Sequence, residues 1–142
     1  MFPDGDPLAQ GSMLESAELE KLDALQDYLS ARARQFGLDQ RRTGMLSLAL
    51  EEIFVNICHY AYPDSSGPVA LDCRCEGEQL IVELVDQGRP FDPSEISEPD
   101  LSAGIETRQV GGLGWFLVRQ VADVFDCFRE DGRNVVRLTI NR

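Results

Sequence analysis

Three short clusters in this sequence carry residue types able to do chemistry. The first is Glu51-Glu52-Ile53-Phe54-Val55-Asn56. In a helix, residues four apart lie one turn from each other on the same face, so Glu52 and Asn56 project together, and His59 adds a third polar group there. A carboxylate and an amide oxygen aligned this way suit Mg²⁺, which takes oxygen ligands and completes its shell with water and phosphate. The carboxylate could equally accept the proton of an attacking hydroxyl. The second cluster, Asp86-Gln87-Gly88-Arg89-Pro90-Phe91, follows an apolar run. An aspartate there can accept a hydrogen bond from the amino group of a purine, and a glycine lets backbone approach a flat ring closely. The third, Gly111-Gly112-Leu113-Gly114, opens an apolar helical stretch. Glycines before a helix leave N–H groups and a positive dipole end available to phosphate. The spacing matches neither the P-loop nor the dinucleotide fingerprint. Taken singly, each cluster has an ordinary reading: a solvated helix face, a strand exit and a hinge.

The elements that must position these clusters are legible in the hydrophobic pattern. From Ser16, Leu19, Leu22, Leu25, Tyr28 and Leu29 recur at helical spacing, and Gly37 is a stop. Asp39 is a candidate cap for a second helix running to about Tyr62 before Pro63, with Leu46, Leu50, Ile53 and Ile57 on its core face. Val69 to Cys75 and Leu80 to Asp86 read as strands joined through Gly77 in a hairpin. Residues Gly88 to Gly111 hold most of the prolines and no period, which predicts a functional loop or lid. A third helix is expected over Leu113 to Phe125, with Leu117, Val118, Val121 and Val124 on one side. Two closing strands, near Val124 to Arg129 and Arg133 to Ile140, flank the turn Asp131-Gly132. No strand is evident ahead of the first helix. The order predicts an α/β (α+β) two-layer sandwich, with the helices on one face of the sheet.

Length and composition fit one domain. Residues 1–14 read as a flexible N-terminal tail or cloning remnant, because Met1 to Ser12 are rich in Gly, Pro and Asp without a period; residues 15–142 read as the domain. The absence of any apolar run near the ~20 residues of a bilayer span, and of a signal-like start, predicts a cytoplasmic protein with no membrane partner. The net charge of −12 leaves no basic stripe for phosphate backbones, so direct nucleic-acid binding is not expected. Cys58, Cys73, Cys75 and Cys127 contain no C-x-x-C pair and are accompanied by one histidine, which argues for small buried hydrophobes rather than metal or disulfides. Cys73 and Cys75 are expected on one strand face.

In combination the clusters form an ordered set: an acidic-amide helix, a strand ending in Asp-x-Gly, and a Gly-x-Gly helix start. This set resembles the GHKL (histidine-kinase-like) ATPase superfamily, and over residues 15 to 142 the chain looks like its anti-sigma-factor serine/threonine protein kinases. Leu48 to Asn56 with Ala61-Tyr62-Pro63 is similar to their N-box; Asp86-Gln87-Gly88 and Gly112-Leu113-Gly114 match two glycine boxes. The resemblance implies a Bergerat-type ATP-binding fold with a mixed, mostly antiparallel sheet. It implies ATP and Mg²⁺ as cofactors, Asn56 as the metal ligand, Glu52 as general base toward a serine hydroxyl, and His59 within the nucleotide-binding N-box. It further implies Asp86 reading the adenine amino group over Gly88, and Gly112, Leu113 and Gly114 wrapping the phosphates under the lid. The implied partners are a sigma factor and/or an anti-sigma-factor antagonist protein, and an isologous homodimer would be ordinary.

Several positions depart from the family pattern. His59 and Tyr60 stand three and four residues after the N-box asparagine, where the family often has a basic residue and a histidine. Val110 occupies the place of a phosphate-contacting arginine, with Arg108 two residues upstream as a substitute. Gly132-Arg133-Asn134 replaces a Gly-Thr-Thr box, leaving Asn134 to support adenine through water.

Overall fold

The structure, a computed structural model, describes residues 13–63, 67–90 and 112–141. In chain order these form β1 (Met13–Ser16), a 3₁₀ turn (Leu19–Lys21), α1 (Leu22–Phe36), α2 (Gln40–Asn56), a π-helical turn (Ile57–Ala61), β2 (Pro68–Glu76), β3 (Gln79–Asp86), α3 (Gly112–Val121), β4 (Val124–Glu130) and β5 (Arg133–Asn141). The strands lie in the order β1-β2-β3-β5-β4, and every pairing among them is antiparallel. Where the family resemblance implied a mixed sheet, the described strands contain no parallel pair.

The helices cover one face of the sheet, as the alternation of the strands requires. Leu25, Leu29, Ala33 and Phe36 of α1, with Leu46, Leu50, Ile53 and Phe54 of α2, pack in one core. Val69, Leu71 and Cys73 of β2, Leu80, Val82 and Leu84 of β3, and Val136, Leu138 and Ile140 of β5 face them from the sheet. Val118 and Val121 bring α3 into the same core. On the far face, Ala70, Val85 and Val135 cluster with Phe128. Beside them Arg74 pairs with Asp72 and Glu83, and Arg137 bonds Glu83 at 3.3 Å while stacking on the Phe128 ring. No described helix is long and apolar enough to cross a membrane.

Local signals set most of the boundaries. Gly37 closes α1 in the left-handed region at φ 96°, with its N–H returned to the Ala33 and Arg34 carbonyls. Asp39 caps α2, its side chain accepting from the Arg42 N–H at 2.8 Å. Asp131 and Gly132, both at positive φ, turn β4 into β5.

Four expectations are corrected. A strand does precede the first helix: β1 pairs Met13 with Leu71 and Ser16 with Pro68. Four residues at a sheet edge carry too little alternation to be seen in sequence, and Met13 and Leu14, counted with the tail, belong to that strand. The first helix starts at Leu22, because Leu19 sits exposed in the 3₁₀ turn. The third ends at Val121 rather than Phe125, and Val124 is an exposed strand residue. Cys75 is exposed at the hairpin end of β2 while Cys73 is buried, and all four cysteines are free.

Candidate functional site

The site grows from the C-terminal half of α2. Ile53 and Phe54 anchor that half in the core, which leaves Glu52 and Asn56 half-buried on the adjoining face. Oε1 of Glu52 is fully buried yet has no hydrogen-bond partner among the described residues. Burial raises the pKa of this carboxyl, Glu51 adds to the rise, and His59 opposes it. One oxygen of this half-buried carboxyl is thus dry and unpaired, a perturbed setting of the kind that functional sites favour. Asn56 ends α2, and the exposed His59 sits on the π-helical turn that continues it, edge-on to Tyr60.

That π turn is bolted to the end of β3. The Arg89 N–H donates to the Ala61 carbonyl at 2.9 Å, and Arg89 Nε donates to the Tyr60 carbonyl at 2.6 Å. These bonds satisfy helix-end carbonyls that have no intrahelical partner. The Tyr62 hydroxyl donates to the Pro68 carbonyl at 2.6 Å and accepts from the Gln87 N–H at 2.7 Å. Burial raises the Tyr62 phenol above its ordinary value, so it keeps the proton this bridge needs. The approach is so close that a Cβ on Gly88 would collide with the Ala61 carbonyl. Gly88 is therefore glycine because of the π turn, a reason the sequence reading, which invoked a flat ring, did not contain.

Asp86 is the buried acid of the site. Its Oδ1 accepts from the Gly88 N–H at 2.9 Å and from Asn134 Nδ2 at 2.8 Å. Burial raises its pKa, and Asn134, the Gly88 amide and Arg129 pull the other way. Asn134 stands directly opposite Asp86 in the β3–β5 register, so it touches the acid itself. Asn134 Nδ2 also donates to the Arg89 carbonyl at 2.8 Å. Arg129 is a member that sequence reasoning missed. Its Nη1 donates to the Gly88 carbonyl and to Asn134 Oδ1, both at 3.1 Å, and its Nη2 donates to the Gly132 carbonyl at 3.3 Å. The signal was present: a two-residue turn at Asp131-Gly132 places Arg129 opposite Asn134.

Gly112, Leu113 and Gly114 form the first turn of α3, which packs along α2. An α-helix leaves the N–H groups of its first turn without intrahelical acceptors. Arg108, Val110 and most of the expected lid, residues 91–111, lie outside the described residues. The fold thus ties Glu52, Asn56 and His59 to Asp86, Gly88 and Asn134 through the π turn, and sets the glycine-led helix alongside.

The donor set fits a magnesium nucleotide. Among the described residues no three His, Cys, Asp or Glu side chains gather as a metal cage. A divalent ion here would take few protein ligands, Asn56 the first, and draw the rest from phosphate and water, as Mg²⁺ does. Asp86, whose Oδ1 already accepts two hydrogen bonds, suits a ligand that donates to its other oxygen.

Three helices on one face of an antiparallel sheet, with an acid-amide helix beside a strand-end aspartate, define a histidine-kinase-like ATPase. Residues 16–140 match the family described as histidine kinase-like ATPase domain, and the chain belongs to it. Its relatives include serine/threonine-protein kinase BtrW of Bordetella bronchiseptica, 29% identical over 117 residues, which are 82% of this chain and 76% of that protein. Serine-protein kinase RsbW of Listeria monocytogenes is 26% identical over 113 residues, covering 76% of this chain and 72% of that one. Among solved structures, the histidine kinase domain of an Erythrobacter litoralis blue-light activated histidine kinase superposes with a TM-score of 0.57 at 23% identity, over 84% of this chain. A Mycobacterium tuberculosis structure of RsbU and RsbW domains gives 0.58 at 14%, over 92%. The matches span 60% and 32% of those two solved chains. Likeness at these identities is likeness of fold.

Proposed function

We propose that this chain is an ATP- and Mg²⁺-binding regulatory serine/threonine protein kinase of the anti-sigma-factor type. It binds a sigma factor or its antagonist protein in the cytoplasm and phosphorylates the antagonist. The observation that carries the reading is the unpartnered Glu52 oxygen, one turn before Asn56, on a helix bonded to the Asp86 loop. The kinase names of the sequence relatives support it.

In this reading Asp86 accepts a hydrogen bond from the adenine amino group, and the first turn of α3 offers its N–H groups to the phosphates. Glu52 takes the proton of the antagonist's serine as the oxygen attacks the γ-phosphorus and ADP departs. Asn56 would hold the Mg²⁺, which when bound supplies neutralisation of phosphate charge. His59 lines the same helix face, and Arg108 serves as the phosphate-contacting arginine. The test is transfer from γ-labelled ATP to a candidate antagonist protein from the same genome, with Glu52→Gln as control. Labelling above the control supports the assignment, and labelling no higher than the control removes the kinase claim.

Val110, standing where the kinases have arginine, favours a second reading. There the chain is an ATP-binding module that sequesters its regulatory partner without phosphoryl transfer. Equal partner release by ATP and by a non-hydrolysable analogue supports the module; a requirement for hydrolysis rejects it.

A further inference from the structure

Across three strands the structure sets Asp86, Asn134 and Arg129 in one row: Asp86 is opposite Asn134 in β3–β5, and Arg129 is opposite Asn134 in β4–β5. We infer that Arg129 is a positioning residue that makes this site select a 6-amino purine over a 6-oxo purine, by holding both groups that hydrogen-bond Asp86. The inference rests on the reading of the Asp86 pocket as the base-binding end of a nucleotide site.

The chemistry follows from donors and acceptors. A guanidinium only donates, so Arg129 requires the oxygen of the Asn134 carboxamide on its own side. That requirement turns the Asn134 NH₂ toward Asp86, where it donates to Oδ1. The same guanidinium nitrogen holds the Gly88 carbonyl, and the Gly88 N–H is the second donor to Oδ1. Both bonds therefore fall on one carboxylate oxygen, and Oδ2 has none among the described residues. With the carboxamide reversed, its oxygen would face a buried carboxylate and its NH₂ a cation, two repulsive contacts in place of two attractive ones. An ionised carboxylate oxygen can only accept. A 6-amino group donates to it, whereas a 6-oxo group in the same place presents a second acceptor, and such a base must shift to offer its N1–H instead.

The experiment is equilibrium binding of Mg-ATP and Mg-ITP, which differ in the 6-substituent and in the N1 proton that accompanies it, to the whole chain and to Arg129→Met. Arg129 is exposed, so its removal leaves the core intact. The wild type should prefer ATP. Arg129→Met should lose about tenfold in ATP affinity with ITP changed less than twofold, as expected for one disordered charge-assisted bond. Asn134→Ala should show a selective loss of the same kind, and the double variant should be no worse than Arg129→Met, because Asn134 is one of the two groups through which Arg129 acts. Parallel loss of both nucleotides, an unchanged ATP-to-ITP ratio, or additive losses would overturn the inference. If Arg129→Met melts below the assay temperature, Asn134→Ala decides by the same criteria. A wild type that binds neither nucleotide removes the site reading and the inference with it; a wild type that binds ATP while the ratio stays put in the variants removes the inference alone.

Discussion

Replacing Asp86 by asparagine separates the two things this residue does, because the network dictates how the new amide must sit. Oδ1 receives the Gly88 N–H at 2.9 Å and Asn134 Nδ2 at 2.8 Å, both donors, so the asparagine carbonyl must take that place. Its NH₂ then occupies the position of Oδ2 and meets the adenine amino group donor to donor. Losing a hydrogen bond to a charged group and leaving a donor opposed costs roughly 3 kcal/mol, about a hundredfold in Kd. Folding should not suffer. Burial raises the Asp86 pKa, so the charge itself is disfavoured in the folded state, and a neutral isostere that keeps both bonds relieves it.

The sign with pH follows from the same shift. Between the ordinary carboxylate value and the raised one, the folded chain holds more of this proton than the unfolded chain, so the contribution of Asp86 to stability falls as pH rises through that window. The difference in unfolding free energy, wild type minus Asp86→Asn, should therefore rise as pH is lowered through it. Calorimetric titration with Mg-ATP and thermal unfolding without nucleotide measure the two halves. Affinity within threefold of wild type, or a ligand-free melting temperature clearly below it, would refute the reasoning.

Gly88→Ala should lower the ligand-free melting temperature by ~6 °C, since overpacking against the Ala61 backbone costs about 2 kcal/mol in a domain of this size. An unchanged melting temperature would return this glycine to a role toward ligand alone. Glu52→Gln should keep nucleotide affinity, gain stability because a neutral amide replaces a carboxyl whose charge burial disfavours, and lose at least about a hundredfold in phosphoryl transfer. Wild-type transfer should also rise with pH through a limb lying above the ordinary carboxylate range, because burial raises the Glu52 pKa and the base works only when deprotonated; a limb at or below that range would contradict it. Tyr62→Phe withdraws the donor from the Pro68 carbonyl and the acceptor from the Gln87 amide, and should cost about 1–2 kcal/mol, read as a lower urea midpoint and faster hydrogen exchange at Gln87.

Much of this protein was already written in local sequence. The spacing of Leu25, Leu29, Leu46, Leu50 and Ile53 determined two helices and their core faces, and Asp39 and Gly37 marked where one begins and the other ends. The hairpin turns at Gly77 and Asp131-Gly132 determined which strands are neighbours. The order of Glu52–Asn56, Asp86–Gly88 and Gly112–Gly114 determined the family. These signals act between residues within a few positions of each other, through helix periodicity, strand alternation and backbone conformation, so a reader of the chain alone can find them.

What the tertiary structure decided lies between residues far apart. Asn134 reaches Asp86 across 48 positions and Arg129 reaches the Gly88 carbonyl across 41, and no pattern on either strand specifies that register without the other. The four-residue edge strand exists because β2 offers it a partner, and the third helix gives way at Val121 because the chain must join β4. The reason for glycine at position 88 follows from how closely the turn that ends the second helix is pressed against neighbouring backbone, and the desolvation of a Glu52 oxygen likewise appears only in the folded chain. Desolvation and cross-strand pairing are properties of surfaces brought together, and those surfaces exist only once the chain has folded.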